Sequence, residues 1–449
     1  MCKKIEITWV LSIFFLFILK KLYLFIFLSG TFLSILVQKT QVNHIKIMET
    51  FAGIGAQHKA ITNIKGQTHN KFKVTKTAEW DARAVIAYSL IHHKYDVENV
   101  LKKNKLETEE KINKWLLDRT FSLNSKTPGH VIRKPLNFKK RLAAASITNR
   151  NNPDITKVKG SDIRDVDLLT YSFPCQGLSV ANMGRAKGIK RDADSTSNLI
   201  WQIGGILQEA KDNDQQLPKY LLMENVRDLL NKKHLEDYEE WKNLLKDSLG
   251  YDTFTFQLRA DNFGMVQTRK RVFGISILNP NKEWTQEMIQ EMLDGQKYVL
   301  NKEESVKEIK KILNFNLNNK TLIEEYKHAV PNNTKSRVKM AKENKDLTKK
   351  GMTRINTLTT KQDRHPNVGM IPYKNNFEGK LDYRFITPRE AYQIMGFDSK
   401  DFDKVRDEWL VNKTLTKESL YRQAGNSIAV KVLEAVFKVI DQIEKREND

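Results

Sequence analysis

The chain is almost without cysteine. Of its 449 residues only Cys2 and Cys175 carry a thiol, so neither a disulfide framework nor a cysteine-built zinc cage is expected, and a reducing cytoplasm is the fitting compartment. It also lacks an apolar run long enough to cross a bilayer. Thr8 to Leu19 and Leu22 to Val37 are rich in Phe, Ile and Leu, but Lys20-Lys21 divides them into pieces shorter than the roughly 20 residues a spanning helix requires. Lys3-Lys4 ahead of an apolar stretch also fits a signal peptide, against which stand the charge and lone thiol of the remainder. Residues 1–43 are therefore expected to lie outside the functional domain, with translation starting downstream of them as one option. There is no internal repeat and no complete GxGxxG. Acidic residues are in deficit: 54 Asp+Glu face 76 Lys+Arg, a formal charge of +22. That excess suits a polyanion such as nucleic acid, although Lys, Asn and Ile abound throughout, as a compositional bias alone would produce.

What is present gathers around Cys175. It closes Ser172-Phe173-Pro174-Cys175 directly after the apolar run Val166 to Tyr171, so the thiol sits at the exit of a buried strand, the place of a nucleophile. Earlier, Ile45 to Phe51 reads as a buried strand, Ala52 to Ala56 as a glycine turn and Gln57 to Ile64 as a helix. The next strand, Phe72 to Ala78, delivers Glu79-Trp80. A glycine turn after strand one and an acid after strand two have the spacing of a nucleoside site in a doubly wound sheet. Backbone approaches the ligand at Gly53 and Gly55, and Glu79 takes ribose hydroxyls. Trp80 either stacks on an adenine or is ordinary core, and Asp162 either accepts an adenine amino hydrogen or merely caps a turn.

Further strands are expected at Tyr220 to Met223, which hands on Glu224-Asn225-Val226, at Thr253 to Leu258 and at Arg271 to Ile277. Helices are expected at Leu199 to Ala210, at Trp241 to Leu249, from Thr387-Pro388 onward and at Ala429 to Ile443, the last capped by Asn426 or Ser427. The alternation predicts a mostly parallel sheet with helices on both faces and ligands at the carboxyl ends of its strands, where Phe51, Glu79, Cys175 and Glu224 fall. Two stretches show little pattern, Lys94 to Lys159 and Asn279 to about Lys350.

A cysteine protease would need a histidine base, and none of the nine His stands in a motif beside Cys175. A pyrimidine is a better target. Thiolate attack on C6 makes C5 an enamine nucleophile, and a carboxyl group at N3 with a guanidinium at O2 would stabilise the density pushed into the ring. C5 can then take a methyl group from a sulfonium donor, lose its proton and release the sulfur.

At this point the motifs resemble a family. Phe51-Ala52-Gly53-Ile54-Gly55, Glu79-Trp80, Phe173-Pro174-Cys175-Gln176, Glu224-Asn225-Val226, Gln267-Thr268-Arg269-Lys270-Arg271 and Gly425-Asn426-Ser427-Ile428-Ala429-Val430 stand in the order and approximate spacing of the bacterial DNA cytosine-5 methyltransferases. Thr387-Pro388-Arg389-Glu390 with Met395-Gly396-Phe397 is similar to the family's ninth motif. The resemblance runs from about residue 44 to 445, with Thr50 where the family often has Leu and Ala56 where it often has Gly.

The resemblance implies an α/β, Rossmann-like S-adenosylmethionine-dependent methyltransferase fold with a smaller target-recognition domain. The catalytic domain would cover 44–278, the recognition domain 279–384, and 385–449 would return to the first. Cys175 would be the nucleophile, Glu224 would hold N3 and the exocyclic amine, and Arg271 would meet O2 with Arg269 in support. Phe51, Gly53, Gly55, Glu79, Trp80, Asp162, Asn426 and Ser427 would surround S-adenosyl-L-methionine, and no metal is expected. Gln176 to Arg191 resembles a loop that closes over DNA, or is a plain connection. The implied partner is double-stranded DNA with its cytosine flipped out. Base contacts are expected near Thr353 to Arg364, with Lys and Arg on phosphates. A monomer is expected, in a restriction–modification system whose endonuclease is encoded separately. Three other readings compete. A tRNA cytosine methyltransferase of the same fold would carry a shorter target region, a catalytically inactive DNA-binding relative would have no need of the thiol, and a dinucleotide oxidoreductase would carry the full glycine fingerprint.

Overall fold

The computed structural model describes residues 44–175, 178, 188–191, 196–313 and 319–449. The hydrophobic leader and most of the Gln176 to Arg191 loop lie outside the described residues. Ile45–Asp449 form one compact unit, inside which the expected boundaries at 278 and 384 fall. Among the described residues no helix is long and apolar enough to cross a membrane.

The unit opens with strand β1 (His44–Thr50), helix α1 (Ala56–Asn63), β2 (Lys71–Ala78) and α2 (Ala82–His92). Three helices follow, α3 (Val97–Lys103), α4 (Glu109–Leu117) and α5 (Leu136–Thr148). Then come β3 (Leu168–Tyr171), α6 (Ile200–Asp212), β4 (Tyr220–Val226), α7 (Lys232–Asn243), β5 (Tyr251–Arg259) and β6 (Lys270–Leu278). The six strands lie in the order β2-β1-β3-β4-β6-β5. β1, β3 and β4 pair parallel, whereas β6 runs against both β4 and β5. The reversal has a local cause: no α-helix separates β5 from β6, and a connection that short can only join antiparallel neighbours.

The inner strands β3, β4 and β6 are buried on both faces, which is why they read as largely apolar runs, whereas the edge strands β2 and β5 are partly open. Successive side chains point to opposite sides, so Leu168, Tyr220 and Leu222 enter one core while Leu169, Leu221 and Met223 enter the other. The first core is closed by α1 and by the last helix, α15 (Val430–Asn448), whose Val432, Leu433, Val436, Phe437 and Ile440 recur at helical spacing. The second is closed by Ile203 and Leu207 of α6 and Trp241 of α7.

Both stretches without visible pattern are helical. The first holds α3 to α5; the second holds α8 (Gln286–Asp294), α9 (Lys302–Ile312), α10 (Lys320–Ala329) and α11 (Lys335–Glu343). Most are shorter than the window over which helical periodicity becomes visible, and their starts are marked instead by caps at Asp96, Thr108, Thr285, Asn301, Asn319 and Thr334. The chain then forms the small ribbon β7 (Ile371–Pro372) and β8 (Tyr383–Arg384), followed by α12 (Pro388–Ile394), α13 (Ser399–Leu410), α14 (Lys417–Asn426) and α15. Neither Asn426 nor Ser427 caps α15: Asn426 is the last residue of α14, and Ala429 occupies the cap position of α15.

Candidate active site

The carboxyl ends of β1, β2, β3 and β4 converge on two adjoining cavities. After β1 the chain turns sharply: Phe51, Gly53 and Gly55 all have positive φ, and the Gly55 N–H donates to Ala52 O at 2.9 Å. Phe51 adopts this conformation with a side chain, so the loop holds backbone strain at the site. Gly55 cannot be replaced, because a Cβ there would overlap the rings of His92 and Tyr88. Glu79, at the end of β2, ties this loop down. Its Oε2 accepts from Gly53 N–H and its Oε1 from Asp81 N–H, both at 2.7 Å. Burial, reinforced by Asp81, pushes its carboxyl up to about 7. Asn151, which the sequence reading passed over, holds the same strand end by accepting from Glu79 N–H and donating to Glu79 O.

One cavity is mostly apolar, lined by Phe51, Glu79, Trp80, Pro153, Ile155 and Leu199 among others. Asp162 does not line it; its carboxylate accepts from Lys159 N–H and caps its own turn at 2.9 Å. Asp154 lines it instead. The dipeptide Asp-Ile occurs at 154 and again at 162, and that repetition was the signal available for the other choice.

The second cavity shares Phe51, Glu79, Trp80 and Pro174 with the first and adds Cys175, Glu224, Arg269, Arg271, Asn426 and Ser427. Gly53 also lines it and Gly55 does not. The turn that presents Cys175 is fixed from two sides: Asn225 Nδ2 donates to Phe173 O at 3.0 Å, and Ser197 Oγ donates to Pro174 O at 2.6 Å. Burial pushes the Cys175 thiol up, and the Arg271 guanidinium opposes that. Glu224 is 8% exposed and its Oε1 has no hydrogen-bond partner, the nearest cation being Arg271 Nε at 3.4 Å. Burial raises its carboxyl, against the pull of Arg271 and Arg269, so it is biased toward the protonated form that can donate.

The two arginines differ. Arg271 is partly open to the cavity. Arg269 is 3% exposed and donates to three backbone carbonyls: Leu358 O at 3.2 Å, Gly425 O at 3.1 Å and Ser427 O at 2.9 Å. Burial drives its guanidinium down to about 9. Around it the backbones of Thr268 and Ile355 bond, and Gly425 presses against Thr359 and Thr360 so closely that no Cβ would fit. Of the Thr353 to Arg364 segment, Ile355 and Leu358 face inward while Arg354, Asn356, Thr359, Lys361 and Arg364 stay exposed.

Residues 138–442 match the family described as C-5 cytosine-specific DNA methylase. The chain is 34% identical over 416 residues to the orphan methyltransferase M.SssI of Spiroplasma monobiae, covering 90% of this chain and 98% of that protein. It is 32% identical over 398 residues to the type II methyltransferase M2.ScrFI of Lactococcus lactis subsp. cremoris, covering 88% and 98%. Among solved structures, the S. pombe Dnmt2 methyltransferase aligns with a TM-score of 0.56 at 18% identity over 90% of this chain and 100% of that one, a likeness of fold. A thiol, a buried carboxyl and a guanidinium at the strand ends of such a fold, with these relatives along nearly the whole length, have one reading: the chain belongs to the C-5 cytosine-specific DNA methylases and is a DNA cytosine-5 methyltransferase.

Proposed function

We propose that the protein methylates C5 of a cytosine flipped out of duplex DNA, through a covalent bond between Cys175 and C6, with S-adenosyl-L-methionine as donor. The observation that carries this is the shared wall of the two cavities: Phe51, Glu79, Trp80 and Pro174 line both, so a ligand in the apolar one extends directly toward Cys175. The residues fit that ligand. An apolar slot beside Trp80 suits adenine, and Glu79, already spending one lone pair per oxygen on backbone, has acceptor capacity left for ribose hydroxyls. Bound there, S-adenosylmethionine supplies an electrophilic methyl carbon on a sulfonium.

The protein's part is played on the pyrimidine. Cys175 loses its proton to water and adds to C6, and protonated Glu224 donates to N3 while Arg271 meets O2, so the electron pair pushed into the ring meets donors already in place. C5 would take its methyl carbon from bound S-adenosylmethionine, the carbon–sulfonium bond breaking to leave a neutral thioether; the C5 proton would then pass to water, and the electron pair of that C–H bond would restore the ring as Sγ departs as thiolate. Arg269 acts from behind, holding the ends of α14 and of the Leu358 segment against the catalytic pair. Residues 279–384 carry the exposed basic and amide side chains suited to the DNA grooves and backbone.

We read the enzyme as a cytoplasmic monomer serving a restriction–modification system. Of the two named relatives one is a type II and the other an orphan methyltransferase, so resistance of the host DNA to a co-resident endonuclease is the check on that context. The central test uses duplex DNA carrying 5-fluorocytosine with S-adenosylmethionine. An adduct on the Cys175 peptide, absent in Cys175→Ser, is expected by mass spectrometry. No adduct, an adduct that survives the substitution, or methyl transfer to tRNA alone would overturn the proposal.

A further inference from the structure

One buried side chain in the 279–384 stretch is left dry at both ends. Gln362 is 0% exposed, and neither Oε1 nor Nε2 of its amide has a hydrogen-bond partner; among the described residues no other amide side chain is bare at both ends. An amide brings a strong acceptor and two donors, and folding ordinarily pairs them or leaves them in water. Burying them unpaired opposes folding, and a position that breaks this rule with no gain to stability marks a function realised in another state.

The surroundings of Gln362 supply that state. Two residues before it, the backbone of Thr360 packs against Gly425, which lines the cavity holding Cys175. Two residues of chain span at most about 7 Å, so Gln362 stands close to the wall of the pocket a flipped cytosine would enter. Its neighbours Lys361 and Arg364 are exposed. The turn between them is closed by the N–H groups of Arg364 and His365, which donate to Lys361 O at 2.9 and 2.8 Å. Two guanidinium groups tie this turn to the helices beside it: Arg337 of α11 donates to Asp363 O at 3.2 Å and Arg364 O at 3.0 Å, and Arg364 pairs with Glu418 of α14 at 2.6 Å. The Arg364–Glu418 pair is more than half exposed on both sides and so holds little. A phosphate competes well for both guanidinium groups.

We propose that Gln362 is a specificity-determining residue: when DNA phosphates draw off Arg337 and Arg364 the turn opens, and the Gln362 amide swings from its dry site to a base edge flanking the flipped cytosine, where its donor and its acceptor are both met. Stability withheld from the free protein is thus returned only on a matching sequence. The proposal rests on the reading that the substrate is a cytosine flipped out of duplex DNA, and it narrows the segment expected to touch bases to one side chain.

The test is Gln362→Leu in the full chain, a side chain of similar size without polar atoms. Two readings are taken together: the denaturant midpoint of the free protein, and bisulfite sequencing of a duplex library in which the base pairs around one cytosine are randomised. The midpoint should rise, because no polar atom is left dry. Methylation should spread to sequences that differ from the native target at one base pair, the preference there falling by about tenfold or more while the other positions keep theirs. A midpoint that falls, or a chain that no longer folds, would show the amide to be satisfied where it lies and would overturn the inference. So would a raised midpoint with every preference intact, which makes Gln362 merely ill-packed, and so would an equal loss on all sequences, which makes the turn a phosphate contact or a prop. A native protein active on the duplexes but indifferent to the randomised pairs also sinks the inference while the functional reading stands. A native protein that methylates no duplex in the library would overturn the functional reading itself, and this inference with it.

Discussion

The strand ends of the sheet and the surface helices of 279–384 treat charge in opposite ways, although that stretch also buries Glu325 and Arg384, each in an ion pair with the segment that follows it, Arg389 and Glu390. At the strand ends Glu49, Glu224 and Arg269 are buried, and each is held where ionisation is disfavoured by lost solvation. In 279–384 much of the charge is on short helices and is paired locally, as in Asp294–Lys297, Glu308–Lys311, Glu324–Lys327 and Lys339–Glu343. Exposed pairs of this kind contribute little to stability, so their lysines are free to exchange a carboxylate for a phosphate. Buried charge is costly and therefore marks chemistry or architecture; surface charge is inexpensive and marks the side offered to a polyanion.

The two arginines of one motif break this comparison most directly. Arg269→Ala would strand the carbonyls of Leu358, Gly425 and Ser427, and a loss of about 3–5 kcal/mol is expected in denaturant unfolding. Arg271→Ala removes a partly open side chain, so stability should fall by no more than about 1 kcal/mol. Single-turnover methyl transfer should nevertheless drop by about 10²–10³-fold, because the donor proposed for O2 is gone. If Arg271→Ala proved as destabilising as Arg269→Ala, the division between architecture and chemistry would be wrong.

Glu49 gives a pH-dependent version of the same contrast. It lies on β1 beneath the glycine turn, and neither oxygen has a well-formed hydrogen bond, only the approach of the Tyr88 hydroxyl and the His58 backbone. Burial raises its carboxyl to about 8 from an ordinary 4.5. The folded-state value is raised, so the stability it permits is fully present below 4.5 and is lost as pH climbs toward 8. His58 is pushed down to about 4 by burial and works in the other direction, gaining stability as pH rises. The readable quantity is therefore the difference between the native chain and Glu49→Gln, in which the histidine contribution cancels. The variant should match the native protein near pH 4.5 and exceed it by a few kcal/mol, on the order of 3, near pH 8.5. A difference that stayed flat with pH would show Glu49 to be ionised throughout.

How legible these regions were follows from the same physics. The inner strands were visible because strands buried on both faces need continuous apolar runs, and the glycine turn and the acid after β2 because sites in such sheets form at strand ends. The antiparallel insertion of β6 was not visible, since strand direction depends on the connection and not on the strand's own residues. α3 to α5 and α8 to α11 escaped because short helices show too few turns for periodicity, although Asn301 followed by Glu304 is a capping box readable in sequence. Within the site, Cys175, Glu224 and Arg271 come together at the second cavity, whereas Asp162 is engaged in its own turn and Asp154 takes the wall position. The threefold carbonyl grip of Arg269 could not be read at all, because all three of its partners lie in residues remote in sequence and contribute only backbone.

The smallest expected effect concerns the lysines of α11. That helix buries none of its residues, and Lys335, Lys339 and Lys342 stand on it in the open. They do nothing for the fold beyond the weak pair with Glu343 at 3.8 Å, so replacing all three by Gln should leave thermal unfolding within about 0.5 kcal/mol of the native chain. If they lie on DNA phosphates, the slope of log affinity against log salt should flatten by about 0.9 for each contact removed, while methyl transfer at saturating DNA stays unchanged. A sequence-dependent loss, larger on one DNA site than on another, would instead put α11 against base edges. An unchanged slope would clear α11 of the interface and shift attention to the exposed Arg354, Asn356, Thr359 and Lys361, on the segment whose Leu358 carbonyl Arg269 holds.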